Sequence, residues 1–204
     1  QRKGWYLRAA IPWVKMSTAP GPQNLSRPEP AIEQMFMLAK EHPHYYDMDA
    51  AVVPKKEGGG TRPRRDTDWF MASLRGLISS ASGTPLGIVL PGSASNESSH
   101  HATFPEALVE PLVRLGTSER GACPSCGTPW RRKVGEGRVT VGWAQWCKCD
   151  YAPPNPCVVL DPFSGSGTTA LVAARLGRDA VYLDASTAYM EEARARLVKC
   201  GVAC

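Results

Sequence analysis

The sequence predicts an α/β fold that carries a small four-cysteine insert. Three observations predict it. Val158, Val159 and Leu160 form an apolar run that meets an acid, Asp161, and then a glycine-paired turn, Gly165-Ser166-Gly167, before a helical run from Thr168 to Leu176. A second strand-like run, Ala180 to Leu183, ends at Asp184, 19 residues after Gly165. Cys123 and Cys126 form one close pair, and Cys147 and Cys149 another. A buried strand, a tight loop and a helix start in that order make a small-molecule cradle. Glycine permits positive φ and close approach of a ligand to the backbone. The helix start aims free N–H groups at the same spot, and an acid after the next strand suits the two hydroxyls of a ribose.

The chain has 204 residues, enough for one domain with a real core, or one domain plus a small insert. Hydrophobic residues make up 43% and charged residues 21%, which excludes the disordered class. No apolar run approaches the roughly 18 residues of a membrane span, and Gln1 to Trp13 lacks the apolar core of a signal peptide. The formal net charge of +5 permits a polyanionic partner without requiring one. Seven cysteines, an odd number, with four in two close pairs, favour metal over disulfides. The expected location is the cytoplasm.

Residues 1–50 open with Trp5 to Lys15, rich in aromatic and branched residues, which reads as a strand. Met16 to Pro30 holds four prolines and reads as a loop. Gln34 to Lys40 contains the run MFMLA, a strand by preference although a helix fits its periodicity as well. His44 to Asp47 then starts a second strand.

Residues 51–99 read as a loop-rich region. In PKKEGGGTRPRR three glycines sit among Lys55, Lys56, Arg62, Arg64 and Arg65. A solvated flexible loop is the commoner meaning of such a run; a phosphate-contacting loop is the functional one. Ordered structure resumes from Trp69 to Ile78, and Gly92 to Ser99 is another polar loop.

Residues 100–120 form a helix preceded by HATFP. Thr103 reads as the N-cap, Pro105 lies near the first helical position, and Glu106 completes a capping box. Leu108, Val109, Leu112, Val113 and Leu115 make its apolar stripe. His100 and His101 read as surface histidines ahead of that helix.

Residues 121–150 are the four-cysteine insert. Twenty residues separate Cys126 from Cys147. Tetrahedral zinc takes four soft ligands, and close pairs supply two each at little loop-closure cost. Cys123, Cys126, Cys147 and Cys149 are therefore the expected ligands of a structural zinc. Trp130, Trp143 and Trp146 are the candidate core of the insert, and Arg131, Arg132, Lys133 and Arg138 make it basic.

Residues 151–204 hold the cofactor half. Tyr151 to Cys157 is a proline-rich linker, and a last helix runs from about Thr187 to Lys199 with Tyr189, Ala193 and Leu197 on one face. Gly165-x-Gly167-x-x-Ala170 with Asp184 also satisfies the dinucleotide fingerprint, so an NAD-dependent protein is the rival reading. Chain order opposes it. Only about 20 residues follow Asp184, fewer than a dinucleotide fold needs for its second half. A fold that places its nucleoside-binding half last is a permuted one.

The string DPFSGSGTT, preceded by HATFP and followed by a strand, an acid and a helix ending Tyr189-x-x-x-Ala193-x-x-Arg196-Leu197, resembles the S-adenosylmethionine-dependent DNA amino-methyltransferases of bacteria and phages, which methylate N6 of adenine or N4 of cytosine. The order matches their β group, whose cofactor motifs come last. GWYLRAAIPWVK (Gly4 to Lys15), Arg27, Glu33, MLAK (Met37 to Lys40), YYD (Tyr45 to Asp47) and RRDTDW (Arg64 to Trp69) resemble the segments between the catalytic motif and target recognition. The resemblance implies a Rossmann-like methyltransferase sheet in permuted motif order, double-stranded DNA as substrate, and a place in restriction–modification. It implies that Phe163, Gly165, Gly167 and Thr168 line the cofactor pocket, that Asp161 lies near the methionyl amine, and that Asp184 binds the ribose. Phe104 and Pro105 would contact the cofactor from the other side. Tyr182 departs from the pattern, where glycine is usual, and is expected to reshape the adenosine side.

The family's catalytic motif, Asp/Ser/Asn-Pro-Pro-aromatic, holds the amine of a flipped base and stacks on it. The nearest string here, Ala152-Pro153-Pro154-Asn155, lacks both the polar head and the aromatic and lies in the linker. In β-group order the motif belongs just before Gly4, so the chain is expected to begin downstream of it and to be inactive by itself. A non-catalytic, zinc-containing DNA-binding remnant is the corresponding alternative. Pro156-Cys157 suggests the nucleophilic cysteine of cytosine-C5 methyltransferases, but it leads straight into a strand, where its thiol would be packed.

Overall fold

The computed structural model describes residues 4–15, 32–51, 88–90 and 104–203. The chain divides into two compact units, one of residues 1–44 and 64–94, the other of residues 45–63 and 95–204. The expectations for Met16 to Pro30, Trp69 to Ile78, Gly92 to Ser99, His100, His101 and the basic loop lie outside the described residues.

In the first unit, β1 (Tyr6–Lys15) lies between β2 (Ile32–Ala39) and β3 (Ile88–Leu90). β1 pairs antiparallel with β2, from Tyr6 opposite Ala39 to Val14 opposite Ile32, and parallel with β3 through Trp13 and Ile88. The run MFMLA is thus a strand. Trp13 and Ala39 are buried, and alternate side chains such as Phe36 and Leu38 are exposed, as the two-residue period of a pleated strand requires.

The second strand expected from His44 to Asp47 does not form. Residues 44–47 are irregular and lead into a 3-10 turn, Met48–Ala51. Asp47 is the cause: its Oδ1 accepts from the backbone N–H groups of Asp49 and Ala50, both at 3.2 Å, and a side chain that captures its own downstream amides turns the chain.

In the second unit, α1 (Glu106–Gly116) begins at Glu106 with Pro105 as its N-cap. This corrects the expected cap: Pro105 offers no side-chain acceptor, and Thr103 precedes the described residues. Leu108, Val109, Pro111 and Val113 are buried, whereas Leu112, placed in the apolar stripe by sequence, is 36% exposed. The insert carries a hairpin, β4 (Arg131–Val134) and β5 (Thr140–Ala144). β6 (Val158–Asp161), α2 (Thr168–Arg175), β7 (Asp179–Tyr182) and α3 (Thr187–Lys199) follow.

β6 and β7 pair in parallel from Val158 opposite Asp179 to Asp161 opposite Tyr182, and α2 is the crossover between them. Val109, Val113 and Val172 form one core cluster with Phe104, Val159 and Leu176 against it. Ala170, Leu171 and Leu197 form another with Ala180, Tyr182 and Val202. β6 was expected to be a buried strand. Only the face toward α2 is covered; Val158, Leu160, Val181 and Leu183 on the other face are each 46–61% exposed.

Candidate cofactor site and cysteine cluster

The loop between β6 and α2 is shaped by two glycines with positive φ, Gly165 at 49° and Gly167 at 75°. Gly167 caps α2 in the left-handed region, where a Cβ would also lie 3.0 Å from the Cβ of Ala193 on α3. Backbone bonds close the loop: Gly167 N–H donates to Ser164 O at 2.8 Å, and Ser164 N–H to Leu183 O at 2.9 Å. Asp161 holds the chain as it leaves β6, its Oδ1 accepting from Phe163 N–H at 3.0 Å. The ring of Phe163 is 86% exposed.

Asp184 joins this loop to the one after β7. Its Oδ2 accepts from Gly165 N–H and its Oδ1 from Ser186 N–H, each at 2.9 Å. Ser186 then caps α3 by accepting from Tyr189 N–H. The expected cofactor residues Asp161, Phe163, Gly165, Gly167, Thr168 and Asp184 thus surround one loop pair at the ends of two parallel strands, the place where open α/β folds bind ligands. Both carboxylate oxygens of Asp184 thus fix the two loops against each other. The Tyr182 side chain packs against the cluster of Ala170, Leu171 and Leu197, which is why a bulky residue is accommodated there.

Sequence reasoning missed the clamp behind the loop. Arg196 on α3 donates to Thr168 Oγ1 at 2.9 Å, Ser166 O at 3.2 Å and Ser166 Oγ at 3.3 Å, and on its other side to Glu106 Oε1 at 3.0 Å. Arg175 of α2 pairs with the second oxygen of Glu106. Glu106 is therefore not a capping-box acid. It ties the first turn of α1, next to Phe104 and Pro105, to both helices of the loop. Arg178, which is buried, donates to Thr117 and to the Leu176 carbonyl, and desolvation lowers its pKa. Cys157 is also buried, so its thiol is packed as expected, and burial pushes its pKa up.

In the insert, the Sγ atoms of Cys123, Cys126, Cys147 and Cys149 all lie within 4.8 Å of one another. Zinc–sulfur bonds of about 2.3 Å in a tetrahedron require sulfur–sulfur distances of about 3.8 Å, so the four residues fit one zinc ion with little movement. Cys123 O accepts from Gly127 N–H at 2.8 Å, which closes the first knuckle, and Gln145 Nε2 donates to Cys147 Sγ and to Cys149 O. Hydrogen bonding from Thr128 lowers the Cys126 thiol to about 6, while a bond shared with Cys126 pushes Cys149 up to about 12. Zinc takes cysteine as thiolate, so binding it here would release the protons that these thiols still hold.

The insert is docked by Arg132. It donates to Asp47 Oδ2 at 3.0 Å, Glu119 Oε2 at 2.8 Å and Thr140 Oγ1 at 2.7 Å, and lies 4.4 Å from the Trp143 ring centroid. Trp130 is buried and packs edge-on against Tyr151. Trp146 does not join that core. It is 61% exposed, with Arg131 over its ring at 4.8 Å. Lys55, Lys56, Arg62, Arg64 and Arg65 lie outside the described residues.

The DNA methylase family model N6_N4_Mtase matches residues 1–195. The chain is 30% identical over 197 residues to the type II methyltransferase M.Cfr9I of Citrobacter freundii, covering 97% of this chain and 46% of the relative. It spans about half the length of the curated relatives it matches. Among solved structures it resembles the cytosine-N4-specific PvuII DNA methyltransferase, at TM-score 0.55 and 18% identity over 95% of this chain and 51% of that one. It also resembles the complex of M1.HpyAVI with SAM, at TM-score 0.50 and 19% identity over 96% and 64%. Both likenesses are of fold, a mixed α/β class. Among the described residues no helix is long and apolar enough to cross a membrane.

Proposed function

The chain belongs to the N6/N4 family of DNA methylases, and from that premise we propose that it supplies the cofactor half of an enzyme methylating an exocyclic amine, N6 of adenine or N4 of cytosine, in double-stranded DNA. The observation that carries the reading is the Asp184 clasp, which joins the Gly165 loop to the start of α3 at 2.9 Å on each side. S-adenosylmethionine supplies an activated methyl group when bound. This chain's part is to hold and orient it. Asp184 would accept from the ribose hydroxyls, Asp161 would neutralise the methionyl ammonium, and the backbone of Gly165 to Thr168 would let the ligand approach. Phe163 would cover its exposed side, and Phe104 and Pro105, just ahead of α1, would contact it from the other side. Positioning and electrostatics of this kind are what a displacement at a methyl carbon requires.

The permuted motif order and the zinc belong to the same reading. Cys123, Cys126, Cys147 and Cys149 would hold zinc with no open coordination position, a staple rather than a catalytic metal. Lys55, Lys56, Arg62, Arg64 and Arg65 would contact DNA phosphates, and the enzyme would work in the cytoplasm.

No Asp/Ser/Asn-Pro-Pro-aromatic string occurs in the 204 residues. The chain is therefore expected to bind S-adenosylmethionine and to transfer no methyl group until a segment carrying that motif is supplied. Calorimetric titration tests the first half: NAD binding without S-adenosylmethionine binding would sink the reading. Incorporation of labelled methyl into DNA by the 204 residues alone would overturn the second. DNA binding with no affinity for the methyl donor would instead favour a non-catalytic zinc-containing remnant.

A further inference from the structure

The two faces of the β4–β5 hairpin have different chemistry. Residues directly opposite on paired strands share a face. Arg132 stands opposite Trp143, and their face carries the Arg132 bonds to Asp47, Glu119 and Thr140. The other face has Arg131 opposite Ala144 and Lys133 opposite Gly142. Trp146 follows Ala144 by two residues and lies under the Arg131 guanidinium. Two cations thus face two of the smallest side chains, with an indole at one end. Among the described residues no acid lies on that face of the paired strands: Asp47 and Glu119 are held by Arg132, Glu136 is in the hairpin tip, and Asp150 follows the last cysteine of the cluster.

A large aromatic 61% exposed, with a cation on its ring and a second cation two residues along, has the composition of a nucleic-acid surface. The small residues leave room for a backbone to lie close, and Lys148, between Cys147 and Cys149, adds charge nearby. We infer that this outward face of the cysteine-stapled hairpin contacts the sugar–phosphate backbone of double-stranded DNA, with Arg131 and Lys133 on phosphates and Trp146 against a sugar. Net charge is not the argument; the segregation of sign between the two faces is. The inference rests on the DNA methyltransferase reading for the identity of the polyanion. It adds a DNA contact outside the basic loop, on an element with no part in holding the methyl donor.

The test is fluorescence anisotropy of a short labelled duplex titrated with the full chain over a range of salt concentrations. Each phosphate contact contributes about 0.9 to the slope of log affinity against log salt. Arg131→Glu with Lys133→Glu should weaken binding at least about tenfold and lower the slope by roughly 2. Trp146→Ala should weaken binding severalfold with the slope kept. Lys199→Glu with Arg194→Glu, an equal change of charge on α3, should change affinity much less. Zinc content and S-adenosylmethionine affinity of each variant should equal those of the parent chain, which separates failure of this surface from failure of the cofactor reading. A parent chain with no duplex affinity at low salt would overturn the inference, as would hairpin variants no weaker than the α3 control. Hydrogen exchange on the unmutated chain gives a second reading: amides 131–148 should gain protection when duplex is added, and unchanged exchange there would also overturn it.

Discussion

Arg196 of α3 lies 3.0 Å from the Glu106 carboxylate of α1 while its other terminal nitrogen holds the Ser166 and Thr168 oxygens of the glycine loop. Residues 90 apart in sequence thus join the first turn of α1 to the glycine loop. Arg196→Met should loosen the loop while Arg175 still holds Glu106. Both partners are about one-third exposed, so the expected stability loss is modest, about 1 kcal/mol. The expected fall in S-adenosylmethionine affinity is larger, about tenfold, or 1.4 kcal/mol. Arg196→Lys keeps the charge but not the fork and should recover stability better than affinity. Calorimetry with urea unfolding reads both.

Gly167 and Gly177 both have positive φ, 75° and 73°, but only Gly167 is crowded. Alanine at Gly177 would meet nothing within 4 Å and should cost about 1–2 kcal/mol for the left-handed backbone alone. Alanine at Gly167 would press on Ala193, which is completely buried, and should cost roughly twice as much. Equal losses in urea unfolding would show that the contact between α2 and α3 has slack.

Chelation of the cysteine cluster should affect the insert and spare the cofactor site, because the two belong to different elements. The purified chain is expected to carry one zinc ion, bound through sulfur. Cys126→Ser should lose the metal and raise hydrogen exchange across the insert, with S-adenosylmethionine affinity kept. Metal-free protein with four freely titrating thiols would refute the staple.

The elements from β6 to α3 were legible in the sequence because their signals are local. Strand, paired glycines and helix start lie within a dozen residues, and the last helix was placed at Thr187–Lys199 as observed. What was missed depends on distant partners. Glu106 read as a capping-box acid because that pattern is local, but its carboxylate goes to arginines on α2 and α3. The strand expected from His44 to Asp47 fails because Asp47 turns the chain and forms an ion pair with Arg132, 85 residues away. Trp146 was assigned to a core on hydrophobicity alone; its side of the hairpin is the one Arg132 does not dock. The exposed face of β6 was equally illegible, since an apolar run does not say how many of its faces are covered.

Tyr45 supplies an alkaline limit. Burial, then the charge of nearby Asp47, pushes its pKa up from 10.0 to about 12. The native state therefore keeps a proton that the unfolded chain releases above pH 10. Stability should fall as pH rises from about 10 and level off near 12, since the unfolded state binds fewer protons there. Tyr45→Phe should remove this part of the alkaline loss. Parallel stability–pH curves for the two proteins would exclude Tyr45 as its source.

Arg132 carries the sharpest prediction about the insert. Its side chain is 9% exposed and that of Asp47 is 5% exposed, whereas Glu119 is 58% exposed. Removal of one partner from a buried pair leaves the other charge without compensation, so Arg132→Met should cost about 3 kcal/mol. Asp47 would keep only part of its support, the amides of Asp49 and Ala50 and the Tyr45 hydroxyl at 3.4 Å. Asp47→Asn should be milder, because Arg132 retains Glu119, Thr140 and the Trp143 ring. The double variant should lose less than the sum of the two, as contacting residues do. Additive losses in a double-mutant cycle would mean that the insert is held by the Ala122–Asn155 bridge and the Trp130 packing instead.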